Sequence, residues 1–202
     1  MRVGSPAAPF RAREAVLRVL IDCGAYTGDS LPALLHALGP FDRIVCFEAN
    51  AELPVAAPEA FDGAFEVWRA AVWAGDTRLR LFFGEHAEQS SVMAGKRTGN
   101  FARERSTMVR AVDFADWIAG NTRPDDRLTI KMDIEGAEFD VLESLAGHAS
   151  CRRVEQLLVE WHNNRLRPRW RYRVRRRLIE LRYLLKGLPI RIWGRRPIAE
   201  AG

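Results

Sequence analysis

An α/β fold with a mostly parallel sheet and helices on both faces is what this sequence predicts, and three observations carry that reading. Short apolar runs alternate along the chain with stretches whose leucines recur at helical spacing. The first run ends in a glycine-bearing turn that opens such a stretch, as in a strand-turn-helix unit. Four of the runs end in polar residues, which such a fold would align along one edge of the sheet.

The elements follow in chain order. Leu17 to Cys23 (LRVLIDC) is an apolar run of the kind buried on both faces of a sheet. Leu31, Leu34, Leu35 and Leu38 then mark a helix, with Pro32 in its first turn, where a missing N–H costs little, and Gly39-Pro40 as its stop. Arg43 to Phe47 (RIVCF) is the second strand, and a right-handed crossover makes it a parallel neighbour of the first. Phe65 to Val72 and Leu79 to Phe83 read as strands joined through Gly75-Asp76, and Met108 to Val112 as another. Between them Gln89 to Arg105 is polar and without periodicity, the pattern of a mobile loop able to close over a substrate. Asp116 to Asn121 is the end of a short helix, Leu128 to Ile134 a buried strand, Ala137 to Leu145 a helix and Val154 to Trp161 a strand. In the tail, Trp170, Val174, Leu178, Leu181 and Leu185 form a stripe that predicts a helix to Lys186 facing the sheet, with Arg169, Arg173 and Arg176 solvated. Gly187 ends it and Leu188 to Trp193 is the last strand.

Composition bounds the function. The chain has 202 residues, enough for one domain to bury roughly 70% of its unfolded surface. With 48% apolar and 28% charged residues it is neither disordered nor fibrous. No apolar run reaches the length of a membrane span, and Arg11, Arg13, Glu14 and Arg18 interrupt any signal-peptide core, so a cytoplasmic protein is expected. Cys23, Cys46 and Cys151 are odd in number and lack CxxC spacing, which predicts buried thiols rather than disulfides or a zinc site. The net charge of +5 is uneven: residues 163–202 hold 12 Arg and 1 Lys against Glu180 and Glu200, a net of +11, and the rest of the chain is acidic.

The polar strand ends are Asp22 with the turn Gly24-Ala25-Tyr26-Thr27-Gly28, Glu48 with Asn50, Asp133 with Glu135, and His162. The turn lacks the glycines of a dinucleotide fingerprint, since Tyr26 and Asp29 stand where two of them would be. A pyrophosphate would also meet carboxylates at Asp22 and Asp29, whereas the cationic S-adenosylmethionine suits them. Glu48, twenty residues after Gly28, can accept hydrogen bonds from both ribose hydroxyls. Asp133 is the leading general base, with Glu135 and His162 near it in the inferred topology. Helix capping by Asp133 and a solvated helix face for Glu138 are the alternatives. Asp133 and Glu135 also suit Mg²⁺, yet too few ligands are evident and no metal is assigned. Ser90 and Ser91 are candidate substrate contacts, Trp161 is a pocket wall or a core aromatic, and His36 and His148 are expected to be structural.

IDCGAYTGDS, VCFEAN, IKMDIEGAEFDVLESL and VEWH together resemble the FkbM-type methyltransferases over residues 17–162. The resemblance implies a Rossmann-like class I fold and S-adenosylmethionine-dependent O-methylation of a sugar or natural-product hydroxyl. It carries Asp22, Gly24 and Gly28 over as the methionine-side loop, with Ala25, Tyr26 and Ala49 beside them, Glu48 as the ribose ligand, and Lys131, Asp133, Glu135, Gly136 and Glu138 as the family signature. Tyr26 stands where the family usually has Asn, and Ala49 where it has Pro. The chain also ends one strand early by this comparison, so that its substrate cap is unusual or completed by a partner such as a second copy. The expected organisation is an N-terminal extension over 1–16, a core over 17–162, and a basic helix and last strand over 163–202 completing the same domain. The rival class is a nucleic-acid or anionic-surface binding protein, or an RNA methyltransferase, using the basic tail.

Overall fold

The computed structural model describes residues 15–84, 90–93, 105–163 and 165–194. Most of the expected lid over 89–105 and of the N-terminal extension lies outside the described residues. The elements are β1 (Arg18–Cys23), α1 (Leu31–Leu38), β2 (Arg43–Phe47), β3 (Ala64–Trp68), β4 (Ala71–Trp73), β5 (Thr77–Phe82), β6 (Ser106–Asp113), α2 (Phe114–Asn121), β7 (Arg127–Met132), α3 (Glu138–Gly147), β8 (Val154–Val159), α4 (Arg169–Leu184) and β9 (Ile190–Ile192), with a 3₁₀ turn over Ala149–Arg153.

Six strands form one parallel sheet in the order β3-β2-β1-β7-β8-β9. Alternation along β1 explains its two-sided burial. Val19, Ile21 and Cys23 join the core beneath α2, α3 and α4, while Leu20 joins Leu31, Leu34 and Ile44 beneath α1. The strand order reverses between β1 and β7, so the loops after these strands diverge and open a crevice at their carboxyl ends. Asp22 of β1 is level with Lys131 of β7, which sets that edge in register. The three cysteines are buried free thiols. Among the described residues no helix is long and apolar enough to cross a membrane.

Two expectations are corrected. The run over 65–72 is two strands rather than one: β3 ends at Trp68, and β4 joins a separate three-stranded sheet, β4-β6-β5. An apolar run reports burial and not the sheet that buries it.

The tail helix forms, but with the opposite face inward. Ile179 and Tyr183 are buried, and the Tyr183 hydroxyl donates to the Leu142 carbonyl at 2.9 Å. Arg175 bonds Asp140 at 2.7 Å and Glu143 at 2.6 Å on α3, and the Arg176 guanidinium lies over the Trp161 ring at 5.4 Å. The apolar stems of these arginines cover the interface while their heads are paired, so charged positions serve as the packing face. Trp170, Val174, Leu178, Leu181 and Leu185 are exposed, Leu178 by 62%. Arg176, expected in solvent, is half-buried and also pairs with Glu180 at 2.7 Å.

The two orientations separate experimentally. Ile179→Ala should cost about 2–4 kcal/mol in urea denaturation, as truncation of a buried side chain does. Leu178→Gln should change stability by less than about 0.5 kcal/mol, and the reverse ranking would restore the other face.

Candidate functional site

A cleft of about 440 Å³ opens at the carboxyl ends of the central strands. Asp29, Glu48, Asp133, Glu135 and Glu160 line it, against the cations Lys131 and Arg165. This excess of carboxylate suits a ligand that carries positive charge and disfavours a pyrophosphate.

The floor is set by a buried ion pair. Lys131 Nζ lies 3.1 Å from Asp22 Oδ1, with the side chains 4% and 0% exposed. Burial alone would lower the lysine pKa, but Asp22, and after it Asp133, more than offset this and raise it, so the ammonium stays charged. Ser30, just ahead of α1, donates to Asp22 Oδ2 at 2.8 Å, and Lys131 donates to the Gly24 carbonyl at 2.9 Å. One carboxylate and one ammonium thus tie β1, β7, the following turn and the start of α1 together.

The turn is shaped to close on this edge. Gly24 has φ +81°, and a Cβ there would stand 1.9 Å from the Asp133 carbonyl oxygen, so only glycine fits. Gly28 has φ +89°, with a Cβ position 2.8 Å from the Ala56 carbonyl oxygen. Tyr26 takes φ 53°, a left-handed backbone that costs a non-glycine residue about 1–2 kcal/mol. Its N–H donates to Glu48 Oε2 at 2.9 Å, and a hydrogen bond to a charged group contributes about 1.5–3 kcal/mol, enough to hold the strained turn.

Glu48 directly follows β2 and lines the cleft. Its Oε1 accepts from the Asn50 N–H at 2.8 Å, so each carboxylate oxygen holds one backbone donor and keeps acceptor capacity for a ligand. Burial raises its pKa, opposed by the Asn50 and Tyr26 N–H groups and by Arg69.

The ends of β7 and β8 bring together the three predicted catalytic residues. His162 Nε2 lies 3.7 Å from Asp133 Oδ1 and 3.6 Å from Glu135 Oε1, and the imidazole is 2% exposed. Its Nδ1 meets Glu138 Oε1 at 2.7 Å. That oxygen also accepts the Ile134 and Gly136 N–H groups at 3.2 and 3.1 Å, so it is an acceptor and Nδ1 carries the hydrogen. Burial would lower the His162 pKa, but Glu138, then Glu135 and Asp133, raise it. Asp133 is pushed up to about 6, chiefly by burial, with Glu160 adding to the rise and Lys131 and His162 opposing it. Glu135 adopts φ 56°, and Arg165 pairs with its Oε2. A left-handed glutamate is a strain that the surrounding contacts have to sustain.

The cleft wall includes Gly24, Tyr26, Glu48, Ala49, Asp133 and Glu135 of the predicted set. Asp22 and Ala25 are buried beside it, and Gly28 shapes the loop without lining it. Asp22 therefore meets Ser30 and Lys131 rather than the cleft. Glu138 is no solvated helix residue: it is fully buried. Asp133 caps nothing, as α3 has no side-chain N-cap. Ser90 and Ser91 line the cleft, with Ser91 Oγ donating to the Glu135 carbonyl at 2.8 Å. Trp161 packs in the core against the tilted Phe139 ring, and His148 accepts from the Ser150 N–H at 3.2 Å at the start of the 3₁₀ turn. Glu160, Arg165 and Trp193 were missed. Glu160 and Arg165 flank His162 in EWHNNR and were findable from it, whereas Trp193 arrives through the non-local pairing of β9 with β8.

A family model described as Methyltransferase FkbM domain matches residues 22–185. No curated protein and no solved structure matches the chain.

Lys131→Met should leave the Asp22 carboxylate buried without its partner and cost about 3–5 kcal/mol in urea denaturation. A loss below about 1 kcal/mol is the value for a solvent-screened pair and would contradict the buried pairing.

Proposed function

The chain belongs to the FkbM methyltransferase family, and from that premise we propose that it moves a methyl group from S-adenosylmethionine to a hydroxyl oxygen, on a sugar or natural-product intermediate. The observation that carries the cofactor is Glu48, held by the Tyr26 and Asn50 N–H groups with acceptor capacity facing the cleft, where two vicinal ribose hydroxyls can bond it. The excess of carboxylates around it favours a sulfonium and an ammonium. When bound, this cofactor supplies an electrophilic methyl group and leaves as a neutral thioether.

The chain's own residues supply positioning and a proton acceptor. Tyr26 and Glu48 fix one end of the cleft, and Asp133 and Glu135 stand at the other beside His162. As the new oxygen–carbon bond forms and the sulfur–carbon bond breaks, Asp133 accepts the hydroxyl proton. Its pKa of about 6 matches this task, because the group is ionised at neutral pH yet more basic than a solvated aspartate. Alignment of the acceptor within the cleft supplies much of the remaining rate.

A second reading is carried by α4. Its exposed line of Trp170, Val174, Leu178, Leu181 and Leu185 is bordered by Arg171 and Arg182 on one side and Arg173 and Arg177 on the other. We propose that this face rests on an anionic lipid surface, which takes the apolar side chains and the guanidinium groups at once. A second copy would oppose the same positive borders, and a phosphate backbone would leave the leucines in water. Sedimentation with phosphatidylglycerol vesicles, absent with phosphatidylcholine and lost in Trp170→Ser/Leu178→Ser/Leu185→Ser, is expected. Equal binding to neutral vesicles, no vesicle binding, or self-association through this face would overturn it.

For the reaction, Glu48→Ala should weaken S-adenosylmethionine binding about ten- to a hundredfold in titration calorimetry while the fold is retained. With an acceptor found in a panel of sugars and glycosides, Asp133→Asn should lower turnover about a hundredfold and leave cofactor affinity nearly unchanged. Wild-type kcat/KM should fall about tenfold per pH unit below pH 6 as Asp133 takes up its proton. A larger turnover loss in His162→Ala would transfer the base to the imidazole.

A further inference from the structure

We infer that Asp133, Glu135 and His162 form a binding site for one divalent cation with mixed nitrogen and oxygen preference, such as Mn²⁺. Three atoms carry the argument. With one ring hydrogen of His162 held on Nδ1 by Glu138, Nε2 is the nitrogen whose lone pair a metal ion would take in place of a proton. That lone pair is buried, has no hydrogen-bond partner, and faces Asp133 Oδ1 and Glu135 Oε1. Electron-rich atoms converging in this way need positive charge between them.

The spacing decides which charge. Separations of 3.7 and 3.6 Å are too long for a hydrogen bond from an imidazolium N–H, which needs about 2.7–3.2 Å. They leave room for an ion about 2.1 Å from each atom at an angle of about 120°, somewhat wider than the tetrahedral angle, so that the ligands would close in slightly on binding. Candidate ligand atoms of the three residues all lie within 4.8 Å of one another, and Glu160 Oε1, 3.8 Å from Nε2, offers a fourth.

The surroundings are those of a held ligand set. Metal-binding imidazoles ordinarily donate their other nitrogen to a carboxylate, which is what Glu138 accepts here while two backbone N–H groups fix it. Lys131 stands 3.7 Å from Asp133 Oδ2 and Arg165 pairs with Glu135 Oε2, so each carboxylate is steadied at one oxygen and turns the other toward His162. One nitrogen with two or three carboxylate oxygens suits Mn²⁺ and its neighbours better than Ca²⁺, which takes oxygen alone. The binding claim stands on this geometry. The role of the ion rests on the methyl-transfer reading above: it would hold the acceptor hydroxyl oxygen and lower its pKa, which lessens the basicity required of Asp133, whose Oδ1 it would occupy.

The test is titration of the full chain with Mn²⁺ alone, followed by calorimetry and by the loss of the free-ion electron paramagnetic resonance signal. Wild type should bind about one ion per chain, and the isosteric Asp133→Asn and Glu135→Gln variants, checked for fold by circular dichroism, should each bind at least about tenfold more weakly. His36→Ala, on the exposed side of α1, should bind as wild type does. No binding by folded wild type at millimolar Mn²⁺, or binding indifferent to both isosteric variants, overturns the site. S-adenosylmethionine titrated into the same samples reports separately: cofactor binding without Mn²⁺ binding removes the cation site alone, and Mn²⁺ binding without cofactor binding removes the methyl-transfer reading alone.

Discussion

The ammonium of Lys131 has almost no contact with water, and its charge is met by Asp22 across the β1–β7 boundary. Much of the functional edge follows from this pairing. Two facing charges with no solvent around them tolerate little slippage between the strands that carry them. The same two groups reach Ser30 and the Gly24 carbonyl, so the turn after β1 and the start of α1 take their positions from the pair. Asp133, two residues beyond Lys131, also feels the ammonium, which restrains the rise that burial imposes on its carboxyl.

From that floor the cleft divides by charge environment. At the β2 end, backbone N–H groups hold Glu48, and the oxygen capacity left over suits neutral hydroxyls. At the β7 and β8 ends, carboxylates crowd a buried imidazole with little water to screen them. Strain gathers at the same places: Tyr26 and Glu135, the non-glycine residues with positive φ among those described, both line the cleft. Each is held through a charged group: the Tyr26 N–H donates to the Glu48 carboxylate, and the Glu135 carboxylate pairs with Arg165.

Much of this was legible in the sequence because it is local. β1, α1 and β2 announce themselves through an apolar run, a glycine turn and a leucine repeat, and parallel pairing places Asp22, Glu48, Asp133 and His162 along one edge. What was missed depends on partners far along the chain. β4 looks continuous with β3 until β6 claims it for another sheet. Glu138 has the sequence position of a solvated first-turn acid, favoured there by the helix dipole, and its burial is explained by His162, far along the chain, together with the Ile134 and Gly136 N–H groups. In α4 the longer apolar line lost to a shorter one, because Arg175 and Arg176 find Asp140, Glu143 and Trp161 to pack against while Leu178 stays largely exposed.

We propose that the carboxylate-lined cleft beside the Asp22–Lys131 pair accepts a cationic nucleoside and rejects a pyrophosphate. Parallel calorimetric titrations of the full chain with S-adenosylmethionine and with NAD test it most directly. Saturable binding of S-adenosylmethionine near one per chain is expected, with a Kd on the order of micromolar, about −8 kcal/mol, and no detectable heat of binding from NAD. Binding of NAD with equal or greater affinity, or no binding of S-adenosylmethionine by the folded protein, would contradict it.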